Sequence, residues 1–250
     1  ALPARAELPP PVLRILSDAG LAPDSLGLVV APVAGGARHV QHQADRPLQP
    51  GSTMKLVTTL VGLEQLGPAW RGGTRLLATG PIQGGVLTGD LVLQGRGDMD
   101  LDQQALQAML LRARNRGLLE VRGALVLDRS AFNPARLDLG LPPFDESPES
   151  GYNVVPDALL VNDNLLRVDV FVDERGLQVV PVTPLAGVRV THEMTLVDGD
   201  CSRWDEGWKI PDVRPARPGR QMDVVLRGSW PARCDRTVAF NVIERNDYIG

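Results

Sequence analysis

The sequence predicts an α+β fold in which a short helical part is followed by a long β-rich one. Three observations lead there. Residues 10–19 and 52–66 combine helix punctuation with apolar spacing near the helical period. After Trp70 the texture changes to short apolar runs separated by glycine-rich turns. Between those runs a single helical pattern recurs, over 102–116.

Taken in order, Pro10 and Pro11 preset the first turn of a short helix that runs to Ala19 and is stopped by Gly20. Leu26–Val33 and Arg38–Gln43, separated by Gly35-Gly36, read as a β-hairpin. A loop with Pro47 and Pro50 leads into a helix opened by Ser52. Leu56, Leu60, Leu63 and Leu66 form its apolar stripe, and Gly67-Pro68 ends it. Leu76–Thr79, Val86-Leu87 and Leu91–Gln94 read as strands. The helix over 102–116 turns Leu106, Met109 and Leu110 inward, with Gly117 as its cap, and Ala124–Leu127 is a further strand. Residues 130–156 are irregular and rich in proline and acid, and a loop of that length usually carries function. Beyond Ala158, strands are expected at Leu165–Val172, Leu177–Val182, Val188–Thr191, Asp223–Leu226 and Thr237–Val242.

Composition narrows the function. The 250 residues are 43% hydrophobic and 22% charged with a net charge of -4, so no basic excess invites nucleic acid. Aromatics at 4% provide no platform for stacking bases. No apolar run approaches the roughly 20 residues of a membrane-spanning helix. His39, His42 and His192 lack cysteine or carboxylate companions at ligand spacing, so neither metal nor cofactor is expected. Cys201 and Cys234 fit either one disulfide of an exported protein or two buried thiols. The chain opens at Ala1 without a leader, and any signal peptide is expected to have been removed.

The basic residues are almost all arginine, and the only lysines are Lys55 and Lys209. Lys55 closes the tetrapeptide Ser52-Thr53-Met54-Lys55, the S-x-x-K arrangement of serine acyl-transfer enzymes that react with β-lactams. On a helix, residues three apart share a face, so the hydroxyl and the amine can touch. A serine hydroxyl is a weak nucleophile until a neighbouring base takes its proton. Lysine can be that base, whereas arginine cannot lose its proton in a protein. The other reading makes Ser52 an N-cap. It competes with Lys55 at the third position, where a capping box calls for Glu or Gln and the helix dipole disfavours a cation.

The wider sequence resembles the penicillin-binding proteins of the low-molecular-mass class C type, the D-alanyl-D-alanine carboxypeptidase/endopeptidase family. The likeness is carried by residues 44–59 around Ser52 and by Leu66-Gly-Pro-Ala-Trp70. It continues through Gly89–Asp98, Leu127–Phe132 and Tyr152–Leu160, in order along the chain. The resemblance implies a transpeptidase/β-lactamase-like catalytic domain interrupted by β-rich accessory domains. On that plan residues 1–73 are the amino-terminal part of the catalytic domain, 74–235 the accessory insertion in two subdomains, and 236–250 the start of the return. It implies Ser52 as nucleophile and Lys55 as base, peptidoglycan stem peptides and cross-links as substrates, and acylation of the same serine by β-lactams. It also implies an acidic and an aromatic residue that hold the amino end of the substrate side chain, for which Asp145, Glu146 and Tyr152 are the candidates. A periplasmic location follows from the same likeness. It favours the Cys201–Cys234 disulfide, and peripheral contact with the membrane is compatible with it. It does not indicate an oligomeric state.

The family also uses a Ser-x-Asn and a Lys-Thr-Gly motif, and neither occurs in these residues. Both lie after the inserted domains in the family, and Gly250 stands about where the return begins. The expectation is therefore an incomplete catalytic chain with little or no hydrolysis on its own, since positioning and charge stabilisation would be missing. The alternative is a non-catalytic peptidoglycan-binding or interaction fragment. A class A β-lactamase is disfavoured, because that class places Ser-Asp-Asn soon after the serine helix.

Overall fold

In a computed structural model of the chain, residues 8–133, 143, 145–216 and 221–249 are described. The chain divides into two compact units between Trp70 and Arg71, where the sequence texture changes.

The first unit holds α1 (Pro10–Asp18), the hairpin of β1 (Leu28–Val30) and β2 (Val40–His42), and α2 (Met54–Leu66). Pro10 and Pro11 occupy the first turn of α1, where their missing N–H groups cost nothing. A 3-10 turn over Gly51–Thr53 leads into α2, and Gly67 ends it at a positive φ of 82°, which favours glycine. Leu56, Val57, Leu60, Val61, Leu63 and Leu66 are all exposed, so α2 is apolar round most of its circumference. Helices of this composition are normally covered by other elements.

The second unit begins with β3 (Thr74–Ala78), β4 (Ile82–Gln83), β5 (Val86–Leu87), β6 (Leu91–Gly95), α3 (Gln103–Asn115), β7 (Glu120–Val121) and β8 (Leu125–Asp128). β6 lies between β3, antiparallel to it, and β8, parallel to it; β5 likewise lies between antiparallel β4 and parallel β7. Parallel neighbours need a long crossover, and α3 supplies it for both pairs. Asp102 caps α3 by accepting the Ala105 N–H at 2.7 Å. Ala105, Leu106 and Met109 pack against the core, but Leu110, expected to face inward, lies at the edge of that contact and is exposed.

Two further sheets follow. β9 (Leu166–Asp173) lies between β10 (Gly176–Pro181) and β15 (Arg236–Phe240), antiparallel to both. Its alternation is clean, with Leu166, Val168 and Val170 buried and the residues between them less so. β14 (Gln221–Pro231) has β11 (Val188–His192) and β12 (Thr195–Val197) parallel on one side and β13 (Trp208–Ala216) antiparallel on the other. The register of β13 slips between Lys209 and Asp212, around Pro211, which cannot donate to a ladder. α4 (Arg245–Ile249) closes the described chain, with Tyr248 in the core.

One hydrophobic core joins the β3–β6–β8 sheet to the two later sheets, with Leu93, Leu159, Val168, Leu226, Trp230, Phe240 and Tyr248 among its members. Gly95, at the end of β6, is needed where the two halves of the unit meet. A Cβ there would lie 2.2 Å from the Ala158 carbonyl oxygen, closer than any side chain tolerates. Cys201 and Cys234 form the disulfide that the resemblance favoured. It adjoins an aromatic cluster in which Trp204 meets Trp208 edge-on at 5.4 Å and Trp230 at 5.5 Å.

Candidate active site

Ser52 sits in the middle of the 3-10 turn that feeds α2, and Lys55 lies in the first turn of α2 itself. The two side chains meet: Lys55 Nζ donates to Ser52 Oγ at 2.9 Å. Ser52 does not act as the helix cap. Thr53 holds that position, its hydroxyl donates back to the Pro50 carbonyl, and no side chain caps the helix. Thr58 Oγ1 donates to the Lys55 carbonyl at 3.1 Å, one turn further on. Both Ser52 and Lys55 are exposed to solvent. A charged ammonium donating to a hydroxyl oxygen is one state of an acid–base pair. In the other state the neutral amine accepts the hydroxyl proton and leaves an oxygen able to attack a carbonyl carbon.

The second group of expected site residues belongs to the second unit. Tyr152 Oη donates to Asp145 Oδ2 at 2.7 Å. The other carboxylate oxygen accepts from the Ser147 N–H at 2.8 Å and from Asn153 Nδ2 at 2.7 Å. Asn153 also donates to the Ser147 carbonyl at 2.9 Å, which ties both ends of the turn together. The backbone bond from Ser147 and the hydroxyl of Tyr152 hold the Asp145 carboxyl below its usual range. The same contact pushes the Tyr152 hydroxyl up, because its ionisation would set two negative charges side by side. Glu146 is exposed and takes no part in this cluster.

Asn153 was not singled out in the sequence, yet it orients Asp145. Its position beside Tyr152 in the acid-rich stretch was the available signal. Phe144 and residues 134–142, within that stretch, lie outside the described residues. His42 and His192 each place Nε2 on a backbone carbonyl, of Pro23 at 3.0 Å and of Leu177 at 3.1 Å, which is a packing role.

The sequence profile of the D-Ala-D-Ala carboxypeptidase 3 (S13) family matches residues 11–250. The chain belongs to this family. It is 36% identical over 132 residues to a D-alanyl-D-alanine carboxypeptidase of Actinomadura sp. (strain R39), a stretch covering 52% of this chain and 24% of that protein. It is 35% identical over 89 residues to the D-alanyl-D-alanine carboxypeptidase DacB of Haemophilus influenzae, covering 36% of this chain and 19% of that one. The crystal structure of penicillin binding protein 4 (dacB) from Haemophilus influenzae matches 89% of this chain and 48% of its own, with a TM-score of 0.67 at 21% identity. The same protein complexed with a β-lactam gives a TM-score of 0.61 at 18% identity, over 89% of this chain and 46% of its own. At these identities the structural likeness establishes the fold, the α+β architecture of a low-molecular-mass class C penicillin-binding protein. The S13 chain described here spans about half the length of the solved relatives it matches.

Proposed function

We propose that this chain is the nucleophile-bearing part of a serine-type D-Ala-D-Ala carboxypeptidase/endopeptidase of the bacterial periplasm, acting on peptidoglycan stem peptides and cross-links. The observation that carries the reading is the 2.9 Å contact between Lys55 Nζ and Ser52 Oγ, within a family match that runs from residue 11 to 250. Neutral Lys55 takes the hydroxyl proton as Ser52 Oγ bonds to the carbonyl carbon of the penultimate D-alanine. The amide C–N bond then breaks, and the departing amine takes that proton from Lys55. Water hydrolyses the resulting ester and returns Ser52 to its starting state. A β-lactam amide acylates the same oxygen. In the second unit, Asp145 and Tyr152 are suited by themselves to bind a cationic amino group, and the depressed carboxyl of Asp145 keeps its charge for that purpose.

The tied cluster of Asp145, Tyr152 and Asn153 in the second unit also suits a second reading, a non-catalytic peptidoglycan-binding module. Intact mass after exposure to benzylpenicillin separates the two. An adduct of one penicillin mass, absent in Ser52→Ala, supports the acyl-enzyme. An unmodified mass together with saturable binding of a diaminopimelate-containing muropeptide and no turnover supports the module. An adduct that survives in Ser52→Ala overturns the assignment of the nucleophile.

A further inference from the structure

The second unit contains a cavity that the chemistry at Ser52 and the cluster at Asp145 both leave unused. It measures about 330 Å³, within the range of small-molecule clefts. Val197 at the end of β12 lines it, followed by Asp198 and Asp200. A 3-10 turn over Cys201–Gly207 contributes Arg203, Trp204 and Glu206. Ser229 and Pro231 of β14 complete the lining that matters for binding.

Its walls are set by local bonds. The Cys201–Cys234 disulfide anchors the turn at its first residue. Asp200 caps the turn by accepting the Ser202 N–H at 2.8 Å. Arg203 grips Glu206 through two bonds, Nε to Oε1 at 2.6 Å and Nη2 to Oε2 at 2.7 Å. Gly207 admits Ser229 to close range, since a Cβ there would lie 2.0 Å from Ser229 Oγ. Trp204 is half-buried and packs on Trp208 and Trp230 while it lines the cavity. A site held in this way loses little conformational freedom when a ligand enters.

Both signs of charge share this lining. A simple cation would meet Arg203, and a simple anion would meet Asp198 and Asp200. Among the described residues no three acids gather closely enough to hold a metal ion. A neutral ligand with donors and acceptors side by side answers both signs. Trp204, Val197 and Pro231 ask the same ligand for an apolar face. A pyranose ring has hydroxyls round its edge and C–H groups on its face. An acetamido substituent adds a carbonyl for Arg203, an N–H for a carboxylate and a methyl group for Val197 or Pro231. We propose that this cavity binds an N-acetylated amino sugar of a glycan chain. Naming the peptidoglycan glycan strand as the source rests on the function proposed above, whereas the sugar chemistry rests on the cavity alone.

The test is calorimetric titration of the 250-residue chain with chitohexaose, an oligomer of N-acetylglucosamine. Cellohexaose, which lacks acetamido groups, and the deacetylated cationic oligomer of glucosamine are the comparisons. The expected result is saturable binding of chitohexaose, about 10-fold tighter than of either comparison. Irradiating aromatic protons in deuterated solvent should transfer saturation to the sugar ring protons, as contact with Trp204 requires. Arg203→Ala with Glu206→Ala, and separately Asp198→Ala, change exposed side chains and are each expected to weaken binding about 10-fold. Unchanged circular dichroism and Tm show that these variants keep the fold. No binding of chitohexaose, equal or tighter binding of either comparison, or full affinity in every variant overturns the proposal. Peptide-free glycan strands from peptidoglycan are expected to compete with chitohexaose, and failure to compete overturns that source. Ser52→Ala is expected to bind chitohexaose as the native chain does, so failure here and failure of the acyl-transfer reading are separate results.

Discussion

Asp157 accepts a hydrogen bond from Arg245 Nη1 at 2.7 Å while its second carboxylate oxygen faces Arg129 Nε at 3.2 Å. The Asp157 side chain is fully excluded from solvent, and the two arginines are nearly so. One carboxylate thus ties together the residue that follows β8, the segment leading to β9 and the start of α4. Breaking a buried pair by removing one partner leaves an uncompensated charge, at a cost of about 3–5 kcal/mol. Asp157→Asn is expected to lose stability in that range by urea denaturation. A loss of less than about 1 kcal/mol would mean that water or other groups already neutralise the arginines.

The disulfide makes a second prediction about stability. Cys201 and Cys234 stand 33 positions apart, and the loop they close contains β13 and β14. Constraining a loop of that size in the unfolded chain stabilises the fold by about 3–4 kcal/mol on the chain-entropy account. Reduction, or the double variant Cys201→Ser and Cys234→Ser, is expected to lower Tm by many degrees and to change the fluorescence of the adjoining Trp204 and Trp230. An unchanged Tm under reductant would count against any structural need for an oxidising compartment.

What could be read from the sequence was mostly local. The contact between Ser52 and Lys55 follows from two residues three apart at a helix start, and the alternation of β9 is visible in Leu166, Val168 and Val170. β13 escaped because Pro211 interrupts its apolar pattern, and only an edge strand with a register slip accommodates it. Leu110 was misread because helical periodicity defines a face but not how far the neighbouring sheet extends beneath it. The Arg129–Asp157–Arg245 cluster was not legible at all. Its members are far apart in the chain, and nothing local distinguishes a buried arginine from an exposed one. Asp145 and Tyr152 were legible as an acidic and an aromatic candidate for one role, while Asn153, which ties Asp145 to the Ser147 carbonyl, carries no chemical signature of its own.

Acid and alkali should open the Asp145 cluster from opposite sides. Asp145 has a lowered folded value, so its contribution is present above the ordinary carboxylate range near pH 4 and is lost as pH falls through the lowered value. Tyr152 has a raised folded value, chiefly through its bond to Asp145. Its contribution is full below about pH 10 and is lost as pH rises toward the raised value. The chain has two tyrosines, so ¹³C-labelled tyrosine resonances can be assigned by Tyr152→Phe. Asp145→Asn is expected to return the Tyr152 titration toward the ordinary range and to leave Tyr248, raised mainly by its own burial, where it was. If Tyr152 titrates alike with and without Asp145, the contact does not persist in solution.

Lys55 allows the sharpest test of acid–base chemistry, because arginine can replace its charge but not its proton transfer. Lys55→Arg keeps a cation within reach of Ser52 Oγ, and a purely electrostatic role would survive it. A base must give up its proton, which a guanidinium does not do in a protein. General-base assistance contributes typically 10²–10⁴-fold. In an acylation-competent form containing these residues, Lys55→Arg is therefore expected to slow acylation by benzylpenicillin at least about 100-fold, as far as Lys55→Ala does. Binding of unreacted ligand should change little in either variant. A Lys55→Arg protein that acylates within a fewfold of the native rate would reduce Lys55 to a positioning charge and leave Ser52 in need of another base.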